Sequence, residues 1–164
     1  MDVSFHFTYH FLLILMAYTT STNGEMYYIK PSQNFTCLQQ SCLTLSELAA
    51  SSSTNVSIFF LPGNHYLDRE LVLRNASNIS LTKMVESAFI ICRSQSARVD
   101  ISHTDTVLIS GLHFMGCGGN TVTHVNQLTL ANTIFEGMEG SSTALLLSGI
   151  ASVDISSLAL TLII

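Results

Sequence analysis

The residues that could carry out acid–base chemistry are dispersed along this 164-residue sequence. Glycosidic bonds are commonly cleaved by two carboxylates held close together, but Asp100, Asp105 and Asp154 are far apart and no Asp-Asp dipeptide occurs. His103 beside Asp105 is the most suggestive pair, and we interpret it as a polar turn between strands. Two further histidines fit outward-facing strand positions better than the position of a general base: His113 and His124. The sequence therefore predicts no catalytic residue.

Phosphate and metal sites are not predicted either. Gly116, Gly118 and Gly119 have the composition of a phosphate-cradling loop, but no Lys lies near them and no strand-to-helix transition follows, so we expect a turn. A zinc site is disfavoured because there is no second close pair of cysteines and no His at a finger-like spacing. We expect no metal ion and no cofactor.

The four cysteines, at positions 37, 42, 92 and 117, instead predict disulfides. An even number of cysteines is typical of a chain that enters an oxidising compartment. Cys37 and Cys42 are close enough to pair across a short loop, and Cys92 and Cys117 could then form the second bond. Four cysteines permit three connectivities, and the sequence does not choose among them.

The first 24 residues have the pattern of a secretory signal peptide. The apolar run 11–18 is shorter than the roughly 20 residues that span a bilayer. Small residues follow at Thr22 and Gly24, which suit the −3 and −1 positions of a cleavage site. We expect cleavage after Gly24 and a secreted protein. A buried N-terminal strand is the alternative.

Four Asn-X-Ser/Thr triplets agree with secretion, because each is an acceptor for N-linked glycan. They begin at Asn34, Asn55, Asn75 and Asn78, so the chain beyond residue 80 is free of them. The apolar tail 158–164 offers a cell-surface alternative, since it resembles a weak lipid-anchor signal.

Composition excludes several classes of protein. Charged residues make up 10% of the chain, against roughly 25% in a typical globular domain. The net charge is −5 and no basic run occurs, which argues against a nucleic-acid partner. The mean hydropathy of +0.43 is too high for an intrinsically disordered chain.

From about residue 76 to residue 164 the sequence repeats. The segment 107–116 matches 128–137, a third copy begins at Val153, and a degenerate copy begins at Ile79. Each copy has two short strands, and the joint between them holds Gly111, Asn132 or Ser157. A third strand for each unit is available at 88–91 or 99–101, at 121–123 and at 144–147. Units of this size with three short strands predict the coils of a β-solenoid.

Stacked coils would place equivalent apolar residues in ladders inside the solenoid, because neighbouring strands lie about 4.8 Å apart. We expect three such ladders: Val107, Leu128 and Val153; Ile109, Leu130 and Ile155; Phe114, Phe135 and Leu160. Residues 25–75 would supply a cap and entry strands. There Thr44 and Glu47 have the spacing of a capping box, which predicts a two-turn helix from Thr44 to Ala50.

The segments 59–67 and 108–120 resemble right-handed parallel β-helix proteins of the pectin-lyase-like class. The resemblance implies an all-β, right-handed parallel β-helix of few coils with a short N-terminal capping helix. Polyuronide-cleaving members of this class use clustered aspartates together with an Arg or Lys. That pattern is not found here, since Arg93 and Arg98 precede the clearest coil and the aspartates are scattered.

We therefore expect a non-catalytic extracellular protein that is structural or adhesive, or that binds a glycan or another protein. A polysaccharide lyase or hydrolase and a fragment of a surface-anchored receptor are the alternatives. The chain stops inside the fourth repeat, on apolar residues that nothing covers. Either it is the amino-terminal piece of a longer β-helix protein, or it self-associates through its last coil.

Overall fold

A computed structural model of the chain describes residues 24–31, 42–49, 55–137 and 143–161. These residues form a parallel β-solenoid of about four turns, which confirms the predicted all-β repeat architecture. Residues 1–23 of the expected signal peptide, together with Asn34 and Cys37, lie outside the described residues. Of the described helices, none is long and apolar enough to cross a membrane.

The described elements follow one another in this order: β1 (Glu25–Ile29), β2 (Cys42–Leu43), α1 (Leu45–Leu48), β3 (Val56–Phe60), β4 (Gly63–Leu67), β5 (Leu71–Arg74), β6 (Asn78–Lys83), β7 (Ala88–Cys92), β8 (Val99–Ser110), β9 (Leu112–Cys117), β10 (Asn120–Gly137) and β11 (Leu145–Thr161). Strands β8, β10 and β11 are long because each continues through a corner of the solenoid.

Parallel pairing arranges the strands in three columns, here called faces A, B and C. Face A contains β1, β3, β6 and the segments 106–110, 127–131 and 152–156. Face B contains β4, β7, β9 and the segments 133–137 and 158–161. Face C contains β5 and the segments 99–104, 120–125 and 145–150. One coil visits face C, then A, then B.

The predicted register is confirmed on face A. Leu128 pairs with Val107 on one side and with Val153 on the other, and the degenerate copy joins the same ladder through Ile79. The structure also decides which segment supplies the third strand. It is the segment beginning at Val99, whose residues 100–102 pair with 121–123 on face C, whereas 88–92 belongs to face B.

The corners of the solenoid depend on residues with positive φ. The corner between faces A and B has Gly111, Asn132 and Ser157, as the repeat predicted. The corner between faces C and A has a second series at equivalent positions: Asn75, His103, His124 and Gly149. Gly accepts this conformation without strain, and Asn and His are among the side chains that adopt it most often. The histidine at this corner therefore has a backbone role.

Apolar side chains from all three faces fill the interior. The rings of Phe114 and Phe135 stack with centroids 4.6 Å apart and an interplanar angle of 7°. Both residues are almost fully buried. A disulfide between Cys92 and Cys117 joins β7 to β9, with a Cα–Cα distance of 4.9 Å. Cys42 is also disulfide-bonded.

The N-terminal end of the stack is covered by β2 and α1. The predicted capping box is confirmed: the Thr44 hydroxyl accepts a hydrogen bond from the Glu47 N–H, and the Glu47 carboxylate accepts one from the Thr44 N–H. The predicted length is wrong, because the helix is a single turn, Leu45–Leu48, rather than two turns to Ala50. One turn is enough to bury Leu45 and Leu48 against the first coil.

Candidate functional site

Positive charge is confined to the first coils. All six Lys and Arg residues lie between positions 30 and 98. Two of them form ion pairs at the surface: Arg74 with Asp100, and Arg98 with Glu70 at 2.7 Å. Three others, Lys30, Lys83 and Arg93, line surface depressions next to face B.

The first depression, of about 180 Å³, lies where α1 meets the carboxyl ends of β4 and β7. The Arg93 guanidinium lies 3.5 Å from the centroid of the Tyr66 ring, a geometry in which the aromatic quadrupole attracts the cation. Ser46 donates its hydroxyl to the Asp68 carboxylate at 3.0 Å and lies 3.2 Å from the Tyr66 carbonyl. Lys30 adds a second cation.

The second depression lies at the corner between faces A and B. It is lined by Pro62, Gly63, Lys83, Glu86, Ser87 and Phe89. Like the first depression, it therefore combines an aromatic side chain of face B with a basic side chain.

A row of partly exposed side chains extends from each depression along face B. In register, Phe89 pairs with His113 and His113 pairs with Ile134. The rings of Phe89 and His113 have centroids 5.5 Å apart, and the His113 ring nitrogen lies 3.2 Å from the Glu136 carboxylate. A parallel row joins the Tyr66 position to Ile91 and Met115. We call this surface, with the two depressions, the face B platform.

The described glycosylation triplets lie on the far side of the solenoid from this platform. Asn55 immediately precedes β3, Asn75 follows β5, and Asn78 begins β6, so all three are at the corner between faces C and A. Asn75 and Asn78 are exposed. The Asn55 side-chain oxygen accepts hydrogen bonds from the N–H groups of Ser77 and Asn78. Glycans at this corner would leave face B uncovered.

The structure does not bring together the aspartates that the sequence singled out. Asp100 is on face C, Asp105 is at the corner between faces C and A, and Asp154 is on face A. Burial by itself would raise the pKa of Asp100, but hydrogen bonds from Arg74 and Thr121 outweigh burial and lower it. Asp105 accepts a hydrogen bond from the Asn126 side chain.

The three histidines that the sequence singled out lie in two environments. At the corner between faces C and A, the exposed rings of His103 and His124 stack with centroids 4.8 Å apart. On face B, His113 contacts Glu136 as described above. Among the described residues, no group of three or more His, Cys, Asp or Glu side chains is arranged to hold a metal ion.

His65, which the sequence did not single out, lies on β4 and is buried. One of its ring nitrogens lies 2.7 Å from the Leu61 carbonyl, and its ring meets Phe60 edge-on. Burial lowers the pKa of His65, and the hydrogen bond to the Leu61 carbonyl opposes this shift only in part. The imidazole is therefore neutral in the native protein at pH 7.

This lowered pKa predicts acid sensitivity below neutral pH. In the unfolded chain His65 takes up a proton near pH 6.5, whereas in the native protein it does so only at lower pH. The contribution of His65 to the free energy of unfolding is therefore fully present above about pH 6.5 and is lost as the pH falls below it. His65→Gln, which can still donate to the Leu61 carbonyl, should reduce this pH dependence by up to about 1.4 kcal/mol per pH unit. Urea unfolding at pH 7, 6 and 5 measures it. An unchanged slope in the variant would contradict the assignment.

Sequence reasoning missed the face B platform. Two features of the sequence could have indicated this surface. No Lys or Arg follows position 98, and Tyr66 and Phe89 occupy outward positions of their strands. The residues of the first depression are, however, separated by up to 63 positions along the chain, from Lys30 to Arg93, and the repeat pattern does not include the first of them.

Comparisons with protein-family models, with curated proteins and with solved structures found no match to this chain. The functional argument therefore depends on the geometry described above.

Proposed function

We propose that this chain is a non-catalytic, secreted β-helix glycoprotein that binds an extracellular glycan on the face B platform. The observation that carries the proposal is that two depressions on one face each combine an aromatic with a basic side chain. Aromatic rings supply flat apolar contact area. Charged donors such as Arg93 and Lys83 form strong hydrogen bonds to carboxylate or sulfate oxygens. An acidic oligosaccharide satisfies both requirements.

Extracellular location is supported by three features that arise independently. Residues 1–24 have a signal-peptide pattern, Asn75 and Asn78 of the described Asn-X-Ser triplets are exposed, and Cys92 is bonded to Cys117, a type of bond that persists in oxidising compartments. The likeness of segments 59–67 and 108–120 to right-handed pectin-lyase-like proteins supports placing the chain among secreted β-helix proteins.

The alternative of a polysaccharide lyase or hydrolase has less support. Acid–base cleavage needs two carboxyl groups facing one bond, and Asp100, Asp105 and Asp154 lie apart, on face C, at the corner between faces C and A, and on face A. Within the described residues, most carboxylates near face B already have partners: Asp68 has Ser46, Glu70 has Arg98, and Glu136 has His113. Calcium-dependent release of oligosaccharide from polygalacturonate would favour the enzyme.

The proposal is tested by expressing the full-length chain in a secretory host and recovering it from the medium. We expect a mature protein that begins at Glu25 and loses mass on enzymatic deglycosylation. Calorimetric titration with acidic and neutral oligosaccharides should detect binding of the acidic ones only. Arg93→Gln combined with Lys83→Gln should weaken binding at least about tenfold, or 1.4 kcal/mol.

Arg69→Gln provides the matched control for Arg93→Gln and for Lys83→Gln made singly, because it removes one positive charge at an exposed position that lines neither depression. It should bind like the wild type. An affinity loss in Arg69→Gln equal to that of the single variants would mean that binding depends on net charge and not on the two depressions. A folded protein that binds none of the oligosaccharides, or one retained in cells with Met1 intact, would contradict the proposal.

A further inference from the structure

We propose that Gly111 positions the side chain of Lys83 for glycan binding, because the space that a larger residue would fill at Gly111 is occupied by the lysine stem. The inference rests on the proposed function, in which Lys83 supplies a positive charge to the second depression of the face B platform. It gives a role in binding to a residue that lines neither depression.

Gly111 and Lys83 are neighbours at the corner between faces A and B. Thr82 pairs with Ser110 across two successive coils, so Lys83 and Gly111, which follow them, occupy equivalent positions at the corner. Asn132 holds the same position one coil later, where its φ is 50°, and Gly111 has a φ of 70°. Since Asn adopts this conformation, the backbone of the corner does not by itself require glycine at position 111.

The space beside Gly111 is filled by the stem of Lys83. A Cβ atom at Gly111 would lie 2.5 Å from Cε of Lys83 and 2.6 Å from both Cδ and Cγ. Favourable contacts between carbon atoms lie at about 3.5 to 4.0 Å, so a side chain at Gly111 and the observed conformation of Lys83 exclude each other. The residue that precedes Asn132 by one coil at this corner is Gly111, which has no side chain, so the same conflict does not arise there.

This contact restricts the lysine side chain before any ligand binds. A lysine side chain is long and flexible, and ordering it when a ligand binds costs conformational entropy. Because the carbons of Lys83 already pack against the backbone at Gly111, part of that ordering takes place during folding. Lys83 lines the second depression together with Phe89 and Glu86. The location of its ammonium group relative to the Phe89 ring therefore depends on the absence of a side chain at Gly111.

Gly111→Asn tests the inference, because it places at this corner the residue that Asn132 supplies at the next one. The Lys83 stem is flexible, so it should move away while the coil remains folded. Calorimetric titration of the secreted full-length protein with an acidic oligosaccharide should show an affinity at least about threefold lower than that of the wild type. In a Lys83→Ala background, where the displaced carbons are absent, Gly111→Asn should cause no further loss.

A measurement without ligand separates positioning of Lys83 from a general structural effect. The Lys83 amine should be acetylated faster by an N-hydroxysuccinimide ester in Gly111→Asn than in the wild type, whereas Lys30, as the internal reference, should react at an unchanged rate. Peptide mass spectrometry measures both rates. If Gly111→Asn is not secreted, adding Lys83→Ala should restore secretion, because it removes the carbons that a Cβ at Gly111 would meet.

Asn132→Gly is the matched control, because it makes the reverse exchange at the same corner one coil later. Its affinity and its rate of Lys83 acetylation should equal those of the wild type. Unchanged affinity or unchanged acetylation in Gly111→Asn, an equal further loss in the Lys83→Ala background, or failure of Lys83→Ala to restore secretion would each overturn the inference. Absence of binding by the wild type would instead overturn the proposed function, and the acetylation rates would still show whether Gly111 positions Lys83.

Discussion

Phe135→Asp is expected to prevent the protein from folding at 25 °C. The Phe135 side chain is 1% exposed and stacks on the ring of Phe114 in the preceding coil. Removing a buried aromatic ring costs about 3 to 5 kcal/mol, and an unpaired carboxylate in an apolar interior adds several kcal/mol more. The sum is comparable to the roughly 5 to 15 kcal/mol that stabilises a typical domain. We expect retention in the secretory host and loss of cooperative unfolding.

Ile134→Asp is the matched control for this prediction, because it introduces the same side chain one position earlier on the same strand. Ile134 points out of face B and is 37% exposed, so its carboxylate stays in water. We expect it to unfold cooperatively with a loss of at most about 1 kcal/mol. Similar effects of the two substitutions on thermal unfolding would mean that the inward side of β10 is assigned incorrectly.

The second large effect is expected from removing the Cys92–Cys117 disulfide. This bond closes a loop with a sequence separation of 25 residues and joins two successive strands of face B. In the chain-entropy model a loop of that length contributes about 3.5 kcal/mol by restricting the unfolded state. The Cys92→Ala, Cys117→Ala double variant should therefore lose about 3 to 4 kcal/mol of unfolding free energy in urea.

Reduction of the wild type provides the comparison. Dithiothreitol should lower the unfolding free energy of the wild type at least to that of the oxidised double variant, because it reduces the Cys92–Cys117 bond and also the bond at Cys42. It should lower the unfolding free energy of the double variant by less, because the Cys92–Cys117 bond is already absent there. Mass mapping of the oxidised wild type should find the Cys92 and Cys117 peptides linked. Free thiols at both positions, or a variant as stable as the oxidised wild type, would contradict the prediction.

Both predictions concern face B, and they connect stability to the proposed function. Phe135 lies beneath the Phe89, His113 and Ile134 row, and the disulfide fixes β7 against β9 at the carboxyl ends of those strands. The depressions are built on side chains from successive coils. Their shape therefore depends on how tightly the coils stack, and variants that loosen the stack should weaken glycan binding together with stability.

Features that depend on neighbouring residues or on a repeated pattern could be predicted from the sequence. Thr44 and Glu47 predict a helix start because a capping box is closed within four residues. The ladder through Val107, Leu128 and Val153 follows from the repeat because side chains alternate across a strand. Once one residue of a repeat is matched to its equivalent in the next repeat, the inward or outward orientation of every neighbour on that strand is fixed. The left-handed corners at Gly111 and Asn132 follow from residue type in the same way.

Features that join distant parts of the chain could not be predicted from the sequence. Whether 88–91 or 99–101 supplies the third strand, and whether Cys92 pairs with Cys117, depends on which segments come to lie one coil apart. The first depression joins Lys30, Ser46, Tyr66 and Arg93 from different coils and from the cap. Loop lengths between repeats differ, so spacing along the chain does not reveal these contacts. Coil stacking, which is driven by burial of the interior ladders, brings them together.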